Sequence, residues 1–170
     1  MSDAQIQLRI QLRIQQHIRD YEDQLVKKIE DAFKKDYGAL DPSQYQNLVQ
    51  VALSTESSEV IKNFLRYQVG RETKWGRGSG SLAEAIILDI QGDLEKQADE
   101  IVNAIKNEIQ EEVKKLSEGI EKSDDLEEKI RTLSDVIDGL SKRKRDVHIE
   151  LIRRYLGYGK RHLIFLKPKK

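Results

Sequence analysis

The sequence predicts an all-α protein: a helical bundle with a long antiparallel helical hairpin and a short extended C-terminal tail. Three observations carry that expectation. Apolar residues recur at three- and four-residue steps over most of the chain, the spacing that lines up one face of a helix. Only two prolines interrupt 170 residues. A chain that is 35% charged and 38% hydrophobic has the balance of amphipathic helices and not of an enzyme built around a deep apolar pocket.

The opening "IQLRIQLRI" alternates like a strand, but Ile6, Ile10, Ile14, Ile18, Tyr21, Leu25, Ile29 and Ala32 continue a helical stripe far beyond any alternation. The spacing predicts a helix from about Asp3 to Tyr37, ended by Gly38. "LDPS" restarts the chain, and "SQYQNLVQVAL" supplies a second helix with Tyr45, Leu48, Val49 and Ala52 on its apolar side. The polar run "STESSE" caps a third, Ser58 to about Val69, with Val60, Ile61, Phe64 and Leu65 facing inward.

After "GRGSGS", Ser81 and Glu84 have the spacing of a capping box. Leu82, Ile86, Ile90, Leu94, Ile101, Ile105, Ile109, Val113, Leu116 and Ile120 then hold one stripe for about forty residues, roughly 60 Å of unbroken helix. "KSDD" interrupts it, Asp124 and Glu127 suit a new cap, and Leu126, Ile130, Leu133, Ile137 and Leu140 resume it. The two arms form the hairpin; Gly92, Gly119 and Gly139 mark possible bends. A last helix covers "KRKRDVHIELIRRYL", and Gly157 and Gly159 close it. "HLIFL" reads as a lone strand that must be covered, by coil packing or by another protein's sheet edge. The expected organisation is one helical domain, residues 1–170, with a bundle part at 1–80, the hairpin at 81–156 and a basic tail at 157–170.

The net charge is zero, but it is unevenly placed. From Lys142 to Lys170 eleven lysines and arginines stand against Asp146 and Glu150, and the rest of the chain is acidic to the same degree. Such an end faces a polyanion, or docks on acidic surface of its own chain or a neighbour's. No apolar run approaches the roughly 20 residues of a membrane span, and "MSDAQIQLRI" lacks the order of a signal peptide. The expected setting is cytoplasmic, without membrane. The absence of cysteine excludes disulfides and thiolate chemistry and fits a reducing compartment.

Little in the sequence suggests catalysis. His17, His148 and His162 have no second ligand at helical spacing, so no metal site is expected, and no cofactor loop is present. One pair needs weighing. Arg143 and His148 have the arginine-then-histidine spacing of helical ribonucleases of the HEPN class, in which His148 would be the general acid or base and Arg143 would steady the charged transition state. A basic helix start beside a half-buried histidine gives the same spacing, and it is the preferred reading, so no catalytic residue is assigned.

The segment "NFLRYQVGRETKWGRGSGS" stands apart. Lys62 and Arg66 lie one turn apart, and Arg71, Lys74 and Arg77 follow in the loop, a local patch that phosphates would find. Tyr67 and Trp75 could stack on bases or sugar edges. The glycines would let backbone N–H groups approach a phosphate. The alternative stays open: Phe64, Tyr67 and Trp75 as core, and the cations bound to the acidic helices beyond.

"FLRYQVGRE" resembles the small all-helical subunit of type III CRISPR–Cas effector complexes, through Phe64, Tyr67, Gly70, Arg71 and Glu72 after a Ser/Thr-initiated helix. The resemblance spans roughly residues 45–92 and departs from the family in the glycine loop and beyond about Ile109. It implies a non-catalytic helical bundle that contacts guide–target RNA backbone through basic residues, here Arg71 and Arg66. The expected function is thus an RNA-backbone-binding subunit of a ribonucleoprotein, with RNA and other protein subunits as partners and possible self-association. The alternative is a coiled-coil adaptor that binds only protein, and a HEPN-type ribonuclease is the third reading. Leu163, Ile164, Phe165 and Leu166 in the tail, flanked by Lys160, Arg161, Lys167, Lys169 and Lys170, are the expected protein-docking residues.

Overall fold

A computed structural model describes residues 2–119 and 123–167. Among them are eight α-helices and one 3-10 turn: α1 Asp3–Asp20, α2 Glu22–Ala32, α3 Pro42–Ser54, α4 Ser58–Arg71, α5 Leu82–Gln91, α6 Asp93–Ser117, α7 Asp124–Leu140, the 3-10 turn Ser141–Arg143 and α8 Lys144–Leu166. The chain is an all-α bundle. Its one sheet-like feature among the described residues is an isolated backbone bridge between Asp36 and Ser81. No helix of the described residues is long and apolar enough to cross a membrane.

Five of the eight helices start where a short polar side chain takes up one of the unpaired first N–H groups. Ser2 with Gln5 and Asp41 with Gln44 form reciprocal capping boxes on α1 and α3, and Pro42 sits in the first turn of α3, where its missing N–H costs nothing. Ser57 caps α4. Ser81 accepts from the N–H of Glu84, but its own N–H goes to the carbonyl of Gly78, so the return arm expected from Glu84 is replaced by the loop. Ser123, one residue before the expected Asp124, caps α7 by accepting from Leu126.

The two long expected helices are each broken once. The first bends at Tyr21, whose N–H turns to the carbonyls of Ile18 and Arg19, and α2 ends at Ala32, not Tyr37. The bend has a packing reason: α1 lies on α6, whereas α2 lies on α8 and α5. The second divides at Gly92 (φ −107°, ψ −98°) into α5 and α6. A Cβ there would stand 2.8 Å from the carbonyl oxygen of Leu88, so only glycine fits the break. Ile120, expected at the end of the α6 stripe, lies outside the described residues.

The C-terminal expectation needs correction. Residues 157–166 are neither an extended tail nor a strand; α8 continues through Gly157 and Gly159 to Leu166. Gly159 is placed against Tyr45, where any Cβ would overlap the ring hydroxyl, so it marks a close helix crossing and not a stop. Tyr155, Leu156, Gly159 and Leu163 are buried and continue the helical stripe. The returning arm therefore comprises α7 and α8, joined by a single 3-10 turn whose flanking residues keep right-handed helical angles, and both pack on α6.

One apolar cluster draws residues from all eight helices, with α8 in the middle against α2, α3 and α6. Burying large side chains such as Leu25, Leu48, Ile86 and Leu151 stabilises the fold by about 1.5–3 kcal/mol each before chain entropy is counted. Val60 is an exception to the expected inward set, since it is exposed.

Candidate nucleic-acid interface

The stretch from α4 into the α4–α5 loop places its cations and rings in two different environments. Arg66, Tyr67 and Arg71 stand on the outer face of α4 with Asn63 and Gly70, all exposed; Tyr67 is 59% exposed. Arg77 is exposed in the loop, and Lys74 is half-buried with its Nζ 3.6 Å from Glu72. Among the described residues no hydrogen bond or ion pair holds Arg66, Arg71 or Arg77.

Two expected contact residues turn inward. Trp75 is 1% exposed and stacks on Tyr45, with ring centroids 5.9 Å apart and 28° between planes. It is a core residue and cannot serve as a stacking surface. Lys62 is 7% exposed, with its Nζ 2.5 Å from Glu59, whose carboxyl it holds below the usual range. Its ammonium belongs to the fold and not to the outward patch.

The loop owes its shape to contact with the segment after α2. The N–H of Asp36 donates to Gly80 O at 2.9 Å and the N–H of Leu82 donates to Asp36 O at 2.8 Å. Gly76 (φ +75°) and Gly38 (φ +54°) adopt left-handed angles, and a Cβ on either would overlap backbone carbonyl oxygen of the facing segment. Gly38 and Gly76 thus let two backbones meet, so that of the loop's glycines Gly76 serves the fold. Gly78 (φ +76°) and Gly80 have open space around them.

Gly70 carries a signal that residue type alone concealed. It is the penultimate residue of α4, and a Cβ there would touch nothing within 4 Å. A helical glycine costs up to about 1 kcal/mol relative to alanine, and no neighbour in the fold accounts for this one. It lies between Tyr67 and Arg71 on the exposed face.

Elsewhere the basic surplus of the C-terminal part is largely consumed by the chain itself. Lys144 pairs with Asp99 at 3.0 Å and Glu95 at 3.3 Å. Arg154 joins Glu22, Glu150 and Gln15, Arg153 donates to the carbonyls of Ala52 and Thr55, and Arg145 to that of Glu56. Lys160 meets Gln46. Lys167 donates to Leu40 O at 2.6 Å and sits 5.4 Å from the Tyr37 ring centroid. Of the two expectations for the basic end, docking on the chain's own surface describes these residues; Lys169 and Lys170 lie outside the described residues.

The tail residues separate in the same way. Leu163 is fully buried and is core, because helical continuation sets it one turn beyond the buried Gly159 on the same face of α8. Ile164, Phe165 and Leu166 are exposed, Phe165 at 76%.

The ribonuclease pair is engaged in the fold. His148 is 8% exposed, and its Nε2–H donates to the Ile90 carbonyl at 2.7 Å, a carbonyl near the Gly92 break. Burial holds its pKa below the ordinary histidine value, with Lys144 and Lys62 adding to that and Glu95 opposing it. Arg143 bonds Gln7. Among the described residues no group of three or more potential ligands is placed to hold a metal ion. A polar set that the sequence did not announce runs from the core to the surface: the buried Tyr155 donates to the half-buried Asp89 at 2.6 Å, which lies beside Lys28 and, through it, the exposed Asp93. Burial raises the Asp89 carboxyl, opposed by Tyr155 and Lys28.

The fold and site define the class as an all-α bundle with a compact cationic face on α4. No protein-family model, curated protein or solved structure matches the chain.

Proposed function

We propose that this chain is a non-catalytic, RNA-backbone-binding subunit of a ribonucleoprotein effector complex of the antiviral CRISPR kind, acting in the cytoplasm. The observation that carries the reading is the outer face of α4. Whereas most cations of α8 are tied to the chain's own groups, Arg66 and Arg71 stay unpaired among the described residues, five positions apart on the exposed face of α4 and flanking an exposed Tyr67. Arginine presents a planar fork of donors to phosphate oxygens, and a neighbouring ring offers a sequence-tolerant stacking surface. Gly70 leaves room for a backbone to lie close to the helix. Tyr67, Gly70 and Arg71 are also the exposed members of the "FLRYQVGRE" resemblance. The contact residues in this reading are Arg66, Tyr67, Arg71, Lys74 and Arg77.

A protein-only adaptor is the second reading, favoured by the exposed Ile164, Phe165 and Leu166 at the end of α8. The ribonuclease reading gains nothing from the buried His148.

Photocrosslinking tests the proposal. Single-stranded RNA carrying photoactivatable uridine, irradiated with the full chain and analysed by mass spectrometry, is expected to label Tyr67 and its neighbours on α4. Labelling confined to the α8 end, or none at all, would reject it.

A further inference from the structure

α1 and α7 both rest on α6, and the space between them stays open. Two adjoining clefts of about 350 and 470 Å³ run there, sharing Asp3, Ile6 and Thr132 in their walls. On the α7 side they follow one helical face from Asp125 through Glu128, Thr132, Asp135 and Gly139 to Arg143. Those eighteen residues of rise amount to about 27 Å, the length of a helix of five turns. Ile6, Ile10 and Leu140 close the bottom.

We infer that this cleft receives a basic amphipathic helix from a partner protein. The first argument is charge. Asp3, Asp125, Glu128 and Asp135 line the cleft, and among the described residues no ion pair holds any of them. Of the two cations in the walls, Arg143 is engaged with Gln7, and only Lys129 offsets the acids. Four acids of α6 behave differently: Glu95, Asp99, Glu108 and Glu112 pair with cations of α1 or with Lys144. Asp3 and Asp125 lie in the first turns of their helices, where a negative charge is favoured in any case. Glu128 and Asp135 have no such reason.

The second argument is shape. Gly139 lines the cleft, and a Cβ there would touch nothing within 4 Å, although the chain continues through it into the 3-10 turn and α8. A glycine so placed costs helix stability without serving internal packing, and it permits close approach of another backbone. An amphipathic helix laid in a groove, with cations along an acidic rim, is an established way for proteins to dock.

The test uses the full chain and two synthetic peptides of about 18 residues. One carries leucines and lysines on opposite helical faces, and the other has glutamates for the lysines. The lysine peptide is expected to bind at least about tenfold more tightly than its acidic counterpart. Glu128→Lys with Asp135→Lys should erase that preference, whereas Glu111→Lys with Glu118→Lys, outside the cleft, should leave it. Gly139→Leu should block the peptide while the unfolding temperature is held or raised, which separates occlusion from misfolding. Equal affinity for both peptides, or equal loss from both pairs of reversals, would overturn the inference. Self-association in sedimentation that only the cleft substitutions abolish, with no peptide preference, would make a second copy the occupant and overturn the assignment to a partner.

Discussion

Tyr45 on α3 donates its hydroxyl to the carbonyl oxygen of Leu156 on α8 at 2.8 Å, and Gly159 leaves the space that the ring occupies. The contact joins α3 to the middle helix of the bundle. Gly159→Ala puts a methyl group into the ring and is expected to destabilise the fold by about 1–3 kcal/mol, the usual cost of overpacking. Tyr45→Phe keeps the ring and loses one buried hydrogen bond, about 1 kcal/mol. Urea unfolding of both variants checks the order, and a neutral Gly159→Ala would show that the crossing is looser than described.

Helical continuation through residue 166 separates Leu163 from its neighbours. Leu163→Ala is expected to cost about 2–5 kcal/mol, as for a buried leucine, whereas Phe165→Ser should change stability by no more than about 0.5 kcal/mol. Truncation at Gly157 should lower helix content and melting temperature together. Equal effects of the two substitutions in thermal melts would contradict the helical assignment of this segment.

Gly76 and Gly78 share left-handed angles but not surroundings. Gly78→Ala should cost about 1 kcal/mol, from the backbone angle alone. Gly76→Ala must also push the loop away from Asp36, so a larger loss, about 2–4 kcal/mol, is expected. Chemical denaturation distinguishes the pair; equal losses would mean that the 36–38 and 73–81 segments are not in contact.

His148 makes stability depend on pH. Its folded-state pKa lies below the ordinary value of about 6.5, chiefly through burial. The unfolded chain therefore binds the proton more readily, and stability is full above about pH 6.5 and falls as the pH drops toward the lowered folded value. His148→Gln retains an N–H for the Ile90 carbonyl and cannot take up the charge. Its melting temperature should fall less than that of the parent between pH 7 and pH 5. An identical fall in both proteins would remove His148 as a contributor.

The bundle was readable because Ile6, Ile10, Ile14 and Ile18, like Ile101, Ile105 and Ile109, repeat at spacings that only a helix brings to one face. The breaks at Tyr21 and Gly92 were less readable. A stripe continues across a bend when each half finds a different partner, and partner choice is a tertiary property. Trp75 illustrates the limit at the candidate site. An aromatic residue among arginines and glycines reads alike whether it faces solvent or core, and its burial depends on two loops distant in sequence that meet at Gly38 and Gly76. The end of α8 did hold a missed signal, since Leu163 follows Gly159 by four residues and Leu156 by seven. Gly157 and Gly159 read as a stop because the ring that requires Gly159, Tyr45, is more than a hundred residues away.

The salt dependence of RNA binding tests the α4 face most directly. Each phosphate contact on a single strand contributes about 0.7 to the slope of log affinity against log salt. The parent chain is expected to show a clear negative slope that varies little with RNA sequence. Arg66→Ala, Arg71→Ala and Arg77→Ala together should flatten it by roughly 2 with circular dichroism unchanged. An unchanged slope in that variant, or a parent chain whose affinity for RNA ignores salt, would contradict the account.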